Sequence, residues 1–302
     1  MVIKDSVSTE TSAVKSGLTP QQIQQLKDDG FLIIRNLLPR EAIQPLIDEL
    51  AQRVDEATDE AVKQGVLGPD NTFGDAPFET RLAQVCKACT EPDWVWHHYF
   101  SSQKPMSAGM FVLRTVPALL DVAESLMGPE ILAHPQFSCR AKLPDQDLTV
   151  IPWHQDLAYL RPEEAGDTLV ANFWIPLVDA TVTNGCMEVM RGSHRLGLLP
   201  HSRLISTPGH KGGKGIADSN LPPCEVVAGE VDVGDVLMTT ERLVHRSVPN
   251  RSDTVRWSVD TRYNQIGLPT GRENVPGFIA RSHKHPERVA QSHHDWNRLF
   301  ED

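Results

Sequence analysis

The chain has no run approaching the ~20 consecutive apolar residues that a membrane-spanning helix requires, and no internal repeat. Cysteine is sparse and odd in number: Cys86, Cys89, Cys139, Cys186 and Cys224. Such a set is no disulfide framework and suits a reducing compartment. Cys86-Lys87-Ala88-Cys89 is a C-x-x-C, but the second pair that a zinc ribbon needs is missing. The pair follows Glu79-Thr80-Arg81-Leu82-Ala83-Gln84-Val85, which reads as helix, so two partly buried helical thiols are expected. Basic residues are outnumbered, 29 against 40 acidic, and the net charge of -11 argues against non-specific nucleic-acid binding. Residues 1–18 carry no apolar core of a secretory signal. Leu299-Phe300-Glu301-Asp302 matches neither a prenylation nor a peroxisomal ending. The expectation is a cytoplasmic protein with a small-molecule partner, no nucleic acid and no membrane; the sequence sets no oligomeric state.

What is present is ordinary globular material, 302 residues with 40% hydrophobic and 23% charged side chains. A loose tail over 1–18 precedes a single domain over 19–302. That domain has a helical part at 19–128, an all-β core at about 129–265 and an extension at 266–302. Thr19-Pro20-Gln21-Gln22 opens a helix with a capping box, Gly30 closes it, and Phe31-Leu32-Ile33-Ile34 follows as a short buried strand. After Leu38-Pro39 a longer helix carries Ile43, Leu46, Ile47, Leu50 and Val54 on one face, with Pro45 expected to kink it or delay its start. A third runs from Pro117 to Met127. Beyond Gly128, β-rich runs at 130–134, 136–143, 151–157, 168–178, 186–190, 224–229, 235–240 and 255–263 predict a sandwich or barrel. Residues 206–219 read as a glycine-rich insertion, a solvent loop or a lid; the spacing from Gly209 to Lys214 is not that of a phosphate-binding loop.

Trp153-His154-Gln155-Asp156 lies in a strand-like run, where period-two alternation would put His154 and Asp156 on one face about 6.6 Å apart. An imidazole and a carboxylate so placed are two parts of the 2-His-1-carboxylate facial triad, which leaves positions open on a non-heme Fe(II). His293-His294-Asp295 repeats the pattern, but in a helical-looking tail with no later His, and reads as surface. His245 follows Leu237-Met238-Thr239, and Pro249-Asn250-Arg251-Ser252-Asp253 reads as a turn. A hairpin centred there would set His245 opposite Arg256, with Ser258 two residues on and on the same side. Arginine offers a fork for a carboxylate. A small dicarboxylate could chelate iron at one end and pair with Arg256 and Ser258 at the other. Gln136, Ser138, Arg140 and Lys142 form one polar face, which either meets water or lines a barrel cavity.

With these residues in order, the sequence resembles the phytanoyl-CoA dioxygenase-like group of Fe(II)/2-oxoglutarate oxygenases over roughly 20–265. The resemblance rests on Trp153-His154-Gln155-Asp156, Trp174-Ile175-Pro176-Leu177-Val178-Asp179-Ala180-Thr181, Asn184-Gly185-Cys186, Arg191-Gly192-Ser193-His194, Gly234-Asp235, His245 and Arg256. It implies a mainly β fold with outer helices, a double-stranded β-helix or jelly roll. It assigns His154, Asp156 and His245 to Fe(II), and Arg256 to the distal carboxylate of 2-oxoglutarate. Trp174, Gln155, Ser138 and Ser247 fall at cofactor-contacting positions, and Gly192-Ser193-His194 at a structural turn. Because Asp156 keeps the carboxylate that related halogenases lack, a hydroxylase is expected, using O2 and 2-oxoglutarate and releasing succinate and CO2. Desaturation, epoxidation, cyclisation or endoperoxide formation on the same iron, and a non-oxidative cupin-like metal protein, are the alternatives. Candidate substrate-shaping parts are 206–219, Phe73 to Phe78, and Arg262 or Tyr263. Arg281 to Arg288 reads as a solvated basic tail.

Overall fold

The computed structural model describes residues 17–101, 104–160, 170–204, 213–272 and 274–301. Residues 1–16 of the expected tail, 168–169 of an expected strand and 206–212 of the insertion lie outside them. Helices α1 (Pro20–Asp29), α2 (Arg40–Lys63), α3 (Phe78–Ala88), α4 (Trp94–Tyr99), α5 (Ala108–Thr115) and α6 (Pro117–Met127) precede the β core. The capping box of α1 forms as expected, Thr19 accepting from Gln22 and Gln22 reaching back. Helix α2 starts at Arg40 and runs through Pro45, so its start is not delayed. Ala42, Ile43, Leu46, Ile47 and Leu50 are buried together, and that packing holds the first turns despite the hydrogen bond a proline cannot make.

The large sheet contains β1 (Phe31–Ile34), β2 (Ile131–Ala133), β3 (Ser138–Lys142), β5 (Ala171–Pro176), β10 (Val236–Thr240), β12 (Arg256–Gln265) and β13 (Phe278–Arg281). Its order is β1-β10-β5-β12-β2-β13, with β3 also on β12. The small sheet is β4 (Ile151–His154), β11 (His245–Ser247), β6 (Met187–Met190) and β9 (Val226–Gly229), ordered β4-β11-β6-β9. Strands β7 (Ser202–Leu204) and β8 (Gly213–Gly215) pair separately. Every pairing between these strands is antiparallel, the architecture of a jelly roll with helices packed outside. β5 is buried along its whole length, between β10 and β12.

Three expectations need correction. The hairpin between His245 and Arg256 does not form: β11 pairs with β4 and β6, whereas β12 pairs with β3, β5 and β2. The turn around Asn250 carries the chain from one sheet to the other, with the Asn250 amide donating to Lys142 and Thr254 carbonyls. Second, His154 and Asp156 do not share one face of a strand. β4 stops at His154, and Asp156 begins a 3-10 turn, Asp156–Tyr159, pinned where Leu157 N–H donates to the Glu241 carbonyl. Third, the C-terminal segment is not simply a tail. Arg281 ends β13 and pairs with Asp121 and Glu124, and Trp296 of α7 (His293–Arg298) is buried in the main core. Residues 283–288 are exposed. Cys86 and Cys89 are buried, and burial raises both thiol pKa values, so neither is poised to react. No helix among the described residues is long and apolar enough to cross a membrane.

Candidate active site

A cavity of about 370 Å³ opens between the two sheets. His154 ends β4 and His245 starts β11, directly opposite in register, with ring centroids 4.2 Å apart. The 3-10 turn brings Asp156 to them: its Oδ1 is 3.7 Å from His154 Nε2. The ligand atoms of His154, Asp156 and His245 all lie within 4.8 Å of one another, and all three residues are buried.

The surroundings prepare each ligand. His154 Nδ1 faces the Pro152 carbonyl at 2.9 Å, and His245 Nδ1 faces the Leu243 carbonyl at 2.9 Å. A carbonyl only accepts, so each Nδ1 carries a proton and each Nε2 is the nitrogen turned toward the cluster. Burial, and then the neighbouring His154, push His245 down to about 4, so it is a neutral imidazole at pH 7. Asp156 Oδ2 accepts from Asn172 Nδ2 at 2.6 Å and pairs with Arg262 at 3.0 Å, leaving Oδ1 toward the imidazoles. Burial works to raise the Asp156 pKa, but the Arg262 guanidinium beside it holds it well below the usual range. Two imidazole nitrogens and one ionised carboxylate oxygen are the donor set a non-heme iron takes.

The inner end of the cavity is cationic. Lys142 and Arg256 are cross-strand partners on β3 and β12, and both are buried. Arg256 Nε donates to the Gly185 carbonyl at 3.1 Å, Nη1 donates to Ser258 Oγ, and the guanidinium lies over Trp174, 5.1 Å from the ring centroid. Lys142 Nζ donates to Ser247 Oγ at 3.0 Å and to the Val248 carbonyl. Burial, then Arg256 and Arg140, push Lys142 down to about 6. Among the described residues neither cation has an ion-pair partner. A buried arginine and a buried lysine that gives up its proton readily, with no carboxylate beside them, form a site whose positive charge a bound dicarboxylate would stabilise.

Of the residues singled out from sequence, His154, Asp156, His245, Trp174, Ser247, Ser138 and Arg256 line this cavity. Ser258 sits behind Arg256 and accepts its Nη1 proton. Gln155 is turned away: its Nε2 donates to the Gly197 and Arg242 carbonyls, and its Oε1 accepts from Leu199 N–H. Its side chain anchors the turn that carries Asp156. Ser138 Oγ donates to Asp260. The polar face of β3 turns toward the cavity, which Ser138, Arg140 and Lys142 line. Lys142 was legible only as a member of that alternating run. Asn172 was not singled out; its one signal is its place two residues before Trp174 on β5.

Gly185 illustrates how tightly the inner end is built. Its φ is +92°, and a Cβ there would lie 2.8 Å from Lys142 Cδ and 2.8 Å from the Val248 carbonyl. Gly185→Ala is expected to cost about 1–3 kcal/mol of stability, readable by denaturant unfolding.

The family model "Phytanoyl-CoA dioxygenase" matches residues 26–258. The chain is 24% identical over 251 residues to 1-deoxypentalenic acid 11-beta-hydroxylase of Streptomyces arenae, covering 78% of this chain and 77% of that protein. It is 25% identical over 257 residues to peroxisomal phytanoyl-CoA dioxygenase of Homo sapiens, covering 82% and 68%. Among solved structures it is similar in fold to the non-heme monooxygenase ThoJ in its apo form, at TM-score 0.57 and 22% identity, covering 92% and 93% of the two chains. It is also similar to EctD from S. alaskensis with 2-oxoglutarate and 5-hydroxyectoine, at TM-score 0.54 and 17% identity, covering 94% and 90%.

Proposed function

The chain belongs to the phytanoyl-CoA dioxygenase family of iron(II)- and 2-oxoglutarate-dependent oxygenases, and from that premise we propose that it hydroxylates an unactivated C–H bond of a small organic molecule. His154, Asp156 and His245 hold the iron in this proposal. Arg256, supported by Ser258 and stacked on Trp174, takes the distal carboxylate of 2-oxoglutarate, with Ser247 and Lys142 beside it. The observation that carries this reading is one cavity lined by both the triad and two buried basic side chains, Arg256 and Lys142, that lack a carboxylate partner among the described residues. When bound, iron(II) with 2-oxoglutarate and O2 supplies the oxidising power: 2-oxoglutarate leaves as succinate and CO2, and the substrate gains a hydroxyl group.

The chain's own part is positioning, charge and exclusion of water. The Pro152 and Leu243 carbonyls fix the imidazole tautomers. Asn172 and Arg262 hold Asp156 Oδ2 so that Oδ1 is presented. Trp174, Phe173, Leu237 and Met187 line the wall around the dicarboxylate and keep it dry. Retention of the Asp156 carboxylate favours hydroxylation over halide transfer. The test is succinate formation from 2-oxoglutarate by the purified protein. It must require Fe(II) and O2. Absence of succinate with iron and 2-oxoglutarate both bound would overturn the proposal.

Lys142 provides a separate check. Its folded-state pKa lies below its unfolded value, so burial of the cation costs stability. That cost is full below about pH 6 and disappears as pH rises toward 10. Lys142→Met is therefore expected to stabilise the ligand-free protein by about 1–3 kcal/mol at pH 6. The advantage should narrow at higher pH, as read by denaturant unfolding. The same variant should bind 2-oxoglutarate about tenfold more weakly.

A further inference from the structure

The site has a second chamber, of about 290 Å³, on the outer side of the triad. It adjoins the inner cavity, sharing His154, Asp156, Lys104, Arg140, Asp260 and Arg262 with it, whereas Trp174, Ser247, Lys142 and Arg256 line only the inner cavity and Arg272, Tyr159 and Val275 only the outer chamber. If the inner end takes 2-oxoglutarate, this outer chamber is where a substrate reaches the iron. The inference below rests on that reading.

The outer chamber is charged. Lys104, Arg140, Arg262 and Arg272 line it, against Asp156 and Asp260. Both carboxylates are already engaged. Arg262 bridges them, at 3.0 Å to Asp156 and 2.8 Å to Asp260, and is itself buried. Asp260 also accepts from Ser138. Arg140 reaches Asp260 only through Nε at 3.4 Å, and its side chain is 52% exposed. Lys104 and Arg272 have no ion pair among the described residues. Burial, then Arg272, lower the Lys104 pKa, with Arg262 and Arg140 adding to the effect. Four basic side chains against two carboxylates leave a local positive potential in a chain whose net charge is -11. The rest of the wall includes Phe137, Ile151, Tyr159 and Val275, so it also offers apolar contact. Tyr159 stands edge-on to His154, ring centroids 5.4 Å apart, and its hydroxyl donates to the Lys214 carbonyl at 2.6 Å.

We propose that the outer chamber takes a small organic anion, a substrate whose carboxylate, phosphate or sulfate sits on Arg140, Lys104 and Arg272 while its apolar part lies beside the triad. Arg262 is held by Asp156 and Asp260 and shapes the wall; Arg140 is the main substrate contact. The anion fixes which carbon stands next to the iron, so charge at this end sets regioselectivity as well as affinity.

The test uses an isosteric pair, phenylacetate and phenylacetamide, added anaerobically to protein holding Fe(II) and saturating 2-oxoglutarate. Paramagnetic broadening of the probe protons reports approach to the iron. The expected result is broadening by phenylacetate at about tenfold lower concentration than by the amide, as a charge-assisted contact would give. In Arg140→Gln and in Lys104→Gln that preference shrinks, while the iron–2-oxoglutarate charge-transfer band still forms. Equal broadening by the two probes, broadening by neither, or a preference unchanged in both variants would overturn the inference and leave the proposed function standing. Failure of 2-oxoglutarate to give a charge-transfer band on the wild-type protein would overturn both.

Discussion

Asp156→Ala is expected to lower Fe(II) affinity by at least about a hundredfold and to reduce succinate formation below detection. Loss of an outer partner of a metal ligand alone costs about 10–100-fold in affinity or activity, and here a ligand itself is removed. The loss has a second component. Asp156 supplies the only ionised oxygen of the triad, and Arg262 stands 3.0 Å from its other oxygen. Without the carboxylate, a divalent cation would face two neutral imidazoles and an arginine, an electrostatically unfavourable surrounding. Asp156→Glu is the informative companion. It restores the charge but pushes the carboxylate one methylene further from a 3-10 turn that cannot shift freely, because Leu157 N–H is bonded to the Glu241 carbonyl. Partial recovery of iron binding with little recovery of turnover is expected. Equilibrium dialysis against Fe(II) and succinate release measure the two quantities; full turnover in Asp156→Ala would remove the residue from the site.

Arg256→Met is expected to raise the dissociation constant for 2-oxoglutarate by about a hundredfold while leaving Fe(II) binding nearly unchanged, because charge-assisted hydrogen bonds contribute about 1.5–3 kcal/mol each. The separation follows from the geometry. Arg256 contacts the Gly185 carbonyl, Ser258 and the Trp174 face, and none of the triad. Burial pushes Arg256 down to about 10, so it remains charged at pH 7. Methionine fills most of the volume and stays against Trp174, so a stability change should be small. Anaerobic titration with 2-oxoglutarate at saturating Fe(II) gives the constant directly. An unchanged constant would assign the distal carboxylate to Lys142 or to another group.

The two predictions draw on residues that the sequence reveals to different degrees. Arg256, Ser258, Asp260 and Arg262 alternate along one strand, and period two places them on one face. Hairpin placement and that alternation together make two of the four, Arg256 and Ser258, legible as a carboxylate site. Asp260 and Arg262 belong to the same row and continue it toward the outer chamber, where they support Asp156. The triad was identifiable from types and order, but not the way it converges. A strand reading of 151–157 put His154 and Asp156 on one face, whereas the strand ends and a 3-10 turn delivers the carboxylate. Turn formation there depends on Gln155 bonding to Gly197, Leu199 and Arg242, contacts 42 to 87 residues away. Local alternation carries no information about such contacts.

The same limit explains the missing hairpin. Spacing around Asn250 set His245 opposite Arg256, and both do line one cavity. They reach it from different sheets, because the turn is tied to β3 through the Lys142 carbonyl. The partners of a strand in a sandwich are chosen by long-range packing. Asn172 and Lys142 were hidden for a related reason. A buried polar residue on a strand resembles any other polar residue until its neighbours are known.

The most direct measurement is an anaerobic titration of the metal-free protein with Fe(II) and then 2-oxoglutarate, following the visible metal-to-ligand charge-transfer band. A saturable band is expected in the wild type, none in His245→Ala, and one in Arg256→Met that needs about a hundredfold more 2-oxoglutarate. Bound iron with no band at any 2-oxoglutarate concentration would contradict the shared site and leave the buried Arg256 and Lys142 of the inner cavity without a ligand.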